Sequence, residues 1–118
     1  MKKIFISQPM KGKTEEHIKE IRQNAINTLK FMYPNLINEY EIINTHFTDF
    51  NGNRLQFLGK SIMEGLAIAD VAVFLDDWEK YDGCRCEHFI ASQYKIHCLY
   101  IPRVLDVLEE INHENSVQ

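Results

Sequence analysis

The segment that most constrains the fold is an apolar run, Val71–Leu75, followed by a polar loop and a new helix. A nearly continuous apolar run of this length is typical of a strand in a sheet whose two faces are both covered. We expect three more strands, at residues 3–7, 41–44 and 97–101. The sequence therefore predicts a sheet that is buried between other elements.

Segments with apolar residues at helical spacing separate these strands. The first helix begins after a predicted N-cap at Thr14 and ends before Pro34, and further helices are expected at residues 55–69, at 84–94 and after Pro102. Strands alternating with helices indicate right-handed βαβ units and an α/β, doubly wound parallel sheet of four or five strands. Because the first and third strands each lead into a helix, we predict the strand order 2-1-3-4.

Length and charge restrict the class of protein. The 118 residues suit one domain spanning residues 1–118, and the net charge of −4 without a basic stripe argues against nucleic acid as a partner. No apolar run reaches the roughly 18 residues that a membrane span needs, so no membrane partner is expected. Three cysteines and a start that lacks a signal peptide predict a soluble protein of the reducing cytoplasm.

The loop after the third strand is the first candidate site, because ligands of open α/β sheets bind outside the carboxyl ends of the strands. It is rich in acidic, aromatic and glycine residues, and Glu87 follows in the predicted first helical turn. The helix dipole there favours an ionised carboxylate, which can act as a nucleophile once it is desolvated. Acidic residues are also common in first helical turns for structural reasons alone.

Three other patterns have two interpretations each. Trp78 either stacks on a flat ligand or packs on a neighbouring subunit. His46, together with Asp49, lies on the loop after the second strand, at the same sheet edge as Glu87, where it either binds ligand or is simply solvated. The loop at residues 8–14 lacks the glycine spacing of a phosphate-binding motif, so it is either a solvated turn or a weak anion site at a helix N-terminus.

A metal site at Cys84, Cys86 and His88 is not expected. Successive helical residues turn by about 100°, so side chains at positions i and i+2 diverge and the three cannot share one face. The predicted alternative is two buried thiols and a partly exposed imidazole. We predict neither a metal nor a cofactor.

Several motifs together resemble one family. They are residues 4–10 (IFISQPM), 69–75 (ADVAVFL) and 83–88 (GCRCEH), with Trp78, Glu79, Ala91 and residues 94–96 between and after them. This combination is similar to the nucleoside 2-deoxyribosyltransferase superfamily, in particular to its short members carried by bacteria and phages. The resemblance implies a flavodoxin-like fold, a homo-oligomer, and a bacterial or phage-infected cell as the setting.

The resemblance also implies roles for individual residues. Glu87 would be the nucleophile that attacks the anomeric carbon of a 2-deoxyribosyl group while the base departs. The residues expected to line the ligand site are Ser7, Gln8, Pro9, Met10, Ser61 and Gly83. An acid common in the family on the helix before the third strand is replaced near Ser61, and the acid usually found before the loop glycine is shifted. Proton delivery to the departing base would then come from Asp82, Asp77 or Tyr81.

Three functions remain open at this point. The first is an enzyme, transferase or hydrolase, that acts on the N-glycosidic bond of a nucleoside or nucleotide. The second is a non-catalytic protein that sequesters a nucleotide signal, as a phage anti-defence protein would. The third is an interaction domain without a small-molecule site, which a glycine-containing polar loop at the strand ends makes least attractive.

Overall fold

A computed structural model describes residues 1–45 and 50–102. Its sheet has four parallel strands, β1 to β4, which span Lys2–Ser7, Tyr40–Ile42, Val71–Leu75 and His97–Ile101. The strand order is β2-β1-β3-β4, with helices on both faces. The predicted α/β, flavodoxin-like parallel sheet of order 2-1-3-4 is thus confirmed, with four strands among the described residues.

The register of the two central strands is fixed at their amino ends by Asp70. Its carboxylate accepts a hydrogen bond from the Lys3 backbone amide at 2.8 Å, and its own amide donates to the Lys3 carbonyl at 2.8 Å. The ladder then pairs Ile4 with Val71 and continues to the pair of Ser7 and Phe74. Every residue of β3 is buried, as expected for a strand covered on both faces.

Among the described residues, four α-helices surround the sheet, and they span Glu15–Met32 (α1), Pro34–Glu39 (α2), Arg54–Glu64 (α3) and Asp82–Gln93 (α4). Side chains cap two of these helices. Thr14 accepts a hydrogen bond from the His17 amide at the start of α1, and Asn53 forms a reciprocal capping box with Gln56 at the start of α3. Short 3₁₀ turns at Leu66–Ile68 and Trp78–Lys80 flank β3.

Alternating side chains of the strands build two cores, one on each face of the sheet. Ile4 and Ile6 of β1 pack with Ile21, Ala25 and Leu29 of α1 on the first face. The second face holds Phe5 of β1, together with Leu66, Ala72, Phe74 and Ala91. Since Ser7 lies two residues beyond Phe5, its side chain belongs to this second face.

Several element boundaries differ from the sequence prediction. β2 is only three residues long and starts at Tyr40, and the helix expected at residues 55–69 ends at Glu64 before a separate 3₁₀ turn. Pro34 does end α1, but it also starts the unpredicted α2, because a proline at the first helical position forfeits no hydrogen bond. The helix expected after Pro102 lies outside the described residues. No described helix is long and apolar enough to span a membrane.

Candidate functional site

The crevice between β1 and β3 opens at the carboxyl ends of these strands. The chain leaves β1 toward β2 on one side and leaves β3 toward β4 on the other, so the loops after the two strands diverge. A cavity of about 760 Å³ occupies this position. Its walls come from the loop after β1, the first turns of α1, helix α3 and the start of α4. This is the place where α/β sheets bind ligands.

Glu87 lies in this cavity with only 5% of its surface exposed. Each of its carboxylate oxygens accepts one hydroxyl hydrogen bond. The Ser7 hydroxyl at the end of β1 donates to Oε1 at 2.8 Å, and the Ser61 hydroxyl of α3 donates to Oε2 at 2.9 Å. Three separate elements therefore hold one buried carboxylate in a fixed orientation.

The surroundings of Glu87 act on its charge in two opposite directions. Burial raises the pKa of Glu87 from 4.5 to about 7, and the hydrogen bonds from Ser7 and Ser61 oppose that rise because they stabilise the ionised form. The carboxylate consequently changes its ionisation near neutral pH. Such a group serves well as a nucleophile, base or acid at physiological pH.

The reason that the sequence offers for an ionised Glu87 is wrong. Helix α4 begins at Asp82 rather than at Cys84, so Glu87 is the sixth helical residue and lies beyond the first turn. Its hydrogen-bond donors are two serine hydroxyls and not the free amides of a helix start. Its pKa is raised by burial rather than kept low by the helix dipole.

This environment predicts how stability depends on pH. Between pH 4.5 and about 7 the folded protein holds a proton on Glu87 that the unfolded chain has already lost, so stability falls as the pH rises. We expect the free energy of unfolding to decrease by about 3 kcal/mol across this window from Glu87 alone. Urea unfolding at about pH 5 and about pH 8 measures the decrease.

Two variants separate this effect from the other titrating groups. Glu87→Gln cannot ionise, so it should lose the decrease attributed to Glu87. Glu20→Gln, at an exposed position of α1, should keep the decrease seen in the unsubstituted protein. Equal pH dependence in the unsubstituted protein and in Glu87→Gln would contradict the raised pKa.

Asp82 and Tyr81, the other two candidate catalytic residues, both line the cavity. Asp82 is tied to two arginines: Oδ1 accepts a hydrogen bond from Arg85, and Oδ2 lies 3.6 Å from Arg54 Nη2. Tyr81 is half-buried, and its ring centre lies 5.5 Å from the Lys13 ammonium group. The last contact joins the loop after β1 to the loop after β3 across the crevice.

The cavity also includes Gln8, Pro9, Met10 and Gly83, four of the residues expected to contact ligand. Ser7 is fully buried and lies behind them, where it reaches Glu87. The Gln8 side-chain amide donates a hydrogen bond to the Ile18 carbonyl, which joins the loop after β1 to the first turns of α1.

The loop at residues 8–14 has the features of a turn rather than of an anion site. The Lys13 amide donates to the Met10 carbonyl, and Gly12 has a φ of +76°, a conformation that favours glycine. The start of α1 is capped by Thr14, and both Glu15 and Glu16 lie in its first turn. A phosphate there would meet two like charges.

Trp78 and Asp77 do not line the cavity. Trp78 stacks on His88 with a ring separation of 3.9 Å and packs against Phe74 in the second core. Asp77 begins the 3₁₀ turn that contains Trp78. Its charge acts on Cys84, although burial is the main reason that the pKa of this thiol rises to about 12. His46, the remaining candidate, lies outside the described residues, as does Asp49.

The two cysteines of α4 lie in different environments. Cys84 is buried, whereas Cys86 is exposed and lines the cavity, so the expectation of two buried thiols is wrong for Cys86. His88 is occupied by its stack on Trp78 and by a 2.7 Å hydrogen bond with the Tyr100 hydroxyl. Within residues 1–45 and 50–102, no group of three potential ligands is arranged to hold a metal ion.

Apart from Ser61, sequence reasoning missed the wall that α3 supplies. Arg54, Leu55, Phe57 and Leu58 line the cavity, together with Glu15 and Ile18 of α1. Leu55 and Leu58 belong to the apolar stripe that predicted the helix, and such a stripe is ordinarily assigned to the core. Leu55 is instead 75% exposed, and no sequence pattern indicates that exposure.

Comparison with known proteins assigns no relative. No family model, curated protein or solved structure matches this chain.

Proposed function

We propose that this chain is a member of the nucleoside 2-deoxyribosyltransferase superfamily that cleaves or transfers at the N-glycosidic bond of a nucleoside or nucleotide. The observation that carries the proposal is Glu87, buried at the strand switch point with one serine hydroxyl on each carboxylate oxygen. Cleavage of a glycosidic bond passes through an oxocarbenium-like state, which a nearby carboxylate stabilises and then captures. An oriented, desolvated carboxylate suits that role.

The proposed reaction has two steps. An oxygen of the ionised Glu87 bonds to the anomeric carbon of the sugar while the bond from that carbon to the base nitrogen breaks. Water, or a second base, then attacks the same carbon and releases the carboxylate. Because only the ionised form attacks, activity should rise as the pH passes through the pKa of Glu87, which burial raises to about 7.

The alternative is a protein that binds a nucleotide signal without cleaving it. It is favoured by the pairing of Asp82 with Arg54 and Arg85, which leaves this acid poorly suited to protonate a departing base. It is disfavoured by Glu87, because a buried anion adds nothing to the binding of an anionic ligand.

One experiment separates the two functions. The protein is incubated with deoxynucleosides, their monophosphates and signalling nucleotides, and both the solution and the protein-bound fraction are chromatographed. Free base in solution would establish catalysis. An intact ligand that is released only when the protein is denatured would establish sequestration. If neither free base nor a bound ligand is found, both functions are contradicted.

We also propose a homo-oligomer. Leu55 and Met63 of α3 are each 75% exposed, and Ile68 of the following turn is nearly half exposed, which is typical of a surface covered by another subunit. Trp78 and Tyr81 are the other expected contacts. A neighbouring subunit on α3 would also help to close the cavity against water.

Light scattering at micromolar concentration should therefore give at least the mass of a dimer. Met63→Glu should shift the protein toward the monomer, because it places a charge in the apolar contact. Phe31→Glu is the matched control, since Phe31 is 88% exposed on α1, away from α3. A monomeric unsubstituted protein would contradict the proposal.

We place this activity in the cytoplasm of a bacterium, including a phage-infected one. All three cysteines are free thiols, a state that a reducing compartment maintains. Nucleosides and nucleotides are abundant in the same compartment, which is consistent with the proposed substrates.

A further inference from the structure

The two oxygens of the Glu87 carboxylate lie in different surroundings. Oε1 accepts its hydrogen bond from Ser7, which is fully buried at the end of β1 and does not line the cavity. Oε2 accepts its hydrogen bond from Ser61, which is part of the cavity wall. The oxygen that a substrate meets is therefore Oε2, while Ser7 holds Oε1 on the other side.

Helix α3 places Ser61 in the wall of the cavity. Arg54, Phe57, Leu58 and Ser61 all line the cavity, and their spacing puts them on one face of α3. Ser61 is the last of the four along the helix, and it is the one that donates a hydrogen bond to Glu87. Its hydroxyl group thus lies beside the reacting oxygen, where the sugar of a substrate must bind.

The stereochemistry of the reaction decides which sugar substituent Ser61 meets. Oε2 attacks the anomeric carbon from the face opposite the departing base. The bond from that carbon to the base nitrogen breaks, and the nitrogen keeps the electron pair and takes up a proton from solvent. Water later attacks the same carbon, the electron pair of the ester bond returns to Oε2, and a proton passes to solvent. In a β-nucleoside the 2′-hydroxyl of ribose lies on the attacked face, on the adjacent carbon, so it becomes the neighbour of Oε2.

We propose that the site selects ribosides and that Ser61 recognises the 2′-hydroxyl of the sugar. This inference rests on the proposed function, with Glu87 as the nucleophile. The Ser61 hydroxyl lies 2.9 Å from Oε2, so a 2′-hydroxyl beside Oε2 comes within hydrogen-bond reach of it. Hydrogen bonds to the 2-hydroxyl of a sugar are known to strengthen in the transition state of glycosidic cleavage.

The change of charge on Glu87 gives the reason for such strengthening here. As Oε2 bonds to carbon, the carboxylate loses its charge, and the hydrogen bond that it accepts from Ser61 weakens. The 2′-hydroxyl oxygen then accepts the hydrogen bond that Ser61 gives up. An interaction that is stronger in the transition state than in the ground state raises the rate. The proposal departs from the family resemblance, which implies a 2-deoxyribosyl group without this hydroxyl.

Three adenine nucleosides isolate the 2′-hydroxyl, because they share the base and differ only at this carbon: adenosine, 2′-deoxyadenosine and the arabinoside of adenine. The three cytosine counterparts repeat the test with a second base. The arabinoside keeps the hydroxyl but carries it on the opposite face of the ring, away from Ser61. We expect kcat/KM for release of the base from the riboside to exceed that from the arabinoside by at least about 10-fold, the contribution of one hydrogen bond.

Two serine variants identify the residue responsible. Ser61→Ala should bring the ratio of riboside to arabinoside close to one and lower the ratio of riboside to 2′-deoxyriboside by a similar factor. Ser7→Ala is the matched control and should keep both ratios, because Ser7 donates to the other oxygen. Each variant removes one hydrogen bond that lowers the pKa of Glu87, so rates are compared on the plateau above that pKa. Circular dichroism checks the fold of both variants.

The comparison in the unsubstituted protein stands even if a variant does not fold. Equal kcat/KM for riboside and arabinoside would overturn the inference, as would ratios that fall in Ser7→Ala and not in Ser61→Ala. Both results leave the proposed function intact, because the base is still released. Release of base from none of the six nucleosides, nor from their 5′-monophosphates, would contradict the proposed function itself.

Discussion

Glu87→Gln should lower the rate of glycosidic cleavage by at least about 10³-fold, because the amide keeps the shape of the side chain and removes its nucleophilic oxygen. The fold should survive. The Ser7 and Ser61 hydroxyls, at 2.8 and 2.9 Å from the carboxylate, are within hydrogen-bond reach of an amide in the same place. Chromatography of the released base measures the rate, and circular dichroism checks the fold.

The control is Glu20→Gln, which makes the same chemical change at an exposed position of α1. It should leave the rate unchanged. Nearly normal cleavage by Glu87→Gln would eliminate the covalent mechanism, and loss of folding would show that Glu87 is chiefly structural.

Ligand affinity in the same variant distinguishes the functions further. Removal of the charge should leave the affinity for an uncharged nucleoside nearly unchanged and strengthen that for an anionic nucleotide. Calorimetric titration with one ligand of each kind measures both. A sequestering protein for nucleotides would give the second result without any cleavage in the unsubstituted protein.

Gly65→Ala should strongly destabilise the protein although it adds only one methyl group. A Cβ at residue 65 would lie 2.6 Å from the Ser61 carbonyl oxygen, 2.7 Å from Thr45 Cγ2 and 2.8 Å from Phe5 Cδ1. The first atom belongs to the backbone of α3 and the last to a ring in the second core, so neither yields without cost. We expect a loss of about 2 kcal/mol or more in the free energy of unfolding.

Gly59→Ala is the matched control, because Gly59 lies inside α3 and a Cβ there would have no atom within 4 Å. Alanine favours a helix over glycine by up to about 1 kcal/mol, so this variant should be more stable than the unsubstituted protein. Urea unfolding of both variants tests the pair. If Gly65→Ala and Gly59→Ala have the same free energy of unfolding, the close contacts at residue 65 are contradicted.

Gly65→Ala also bears on the site. To relieve its contacts, the last turn of α3 must move, and that turn carries Ser61. Displacement of the Ser61 hydroxyl would remove one of the two hydrogen bonds that lower the pKa of Glu87. The pH at which activity rises should then shift upward.

Most of the sheet was predictable because it depends on local patterns. β1, β3 and β4 have apolar runs bounded by turn residues or polar loops, and the alternation with helices leaves few possible topologies. The bounds of β2 were not predictable, because a three-residue edge strand gives almost no periodic signal. α2 was not predicted, because Pro34 indicates the end of one helix as readily as the start of another.

The site was predictable only in outline. The motif around Glu87 and the residues after β1 indicated the crevice that they share in the structure, because parallel strands bring their carboxyl ends to one edge. The hydrogen bonds from serine to Glu87 were not predictable. Ser7 is 80 residues away from Glu87 in the sequence, and no sequence pattern indicates that a serine donates to a buried carboxylate. The raised pKa of Glu87 follows from burial, which depends on the packing of α3 and β1 over α4.

The stack between Trp78 and His88 provides an optical signal for the site. Trp78 is the single tryptophan of the chain, so its fluorescence reports on one place only. His88 directly follows Glu87 on α4, and the His88 ring lies 3.9 Å from the Trp78 ring. Any ligand that shifts α4 as it engages Glu87 will change the distance between the rings, and with it the tryptophan emission. Binding can then be followed in real time on the unlabelled protein, with substrates that are turned over and with those that are not.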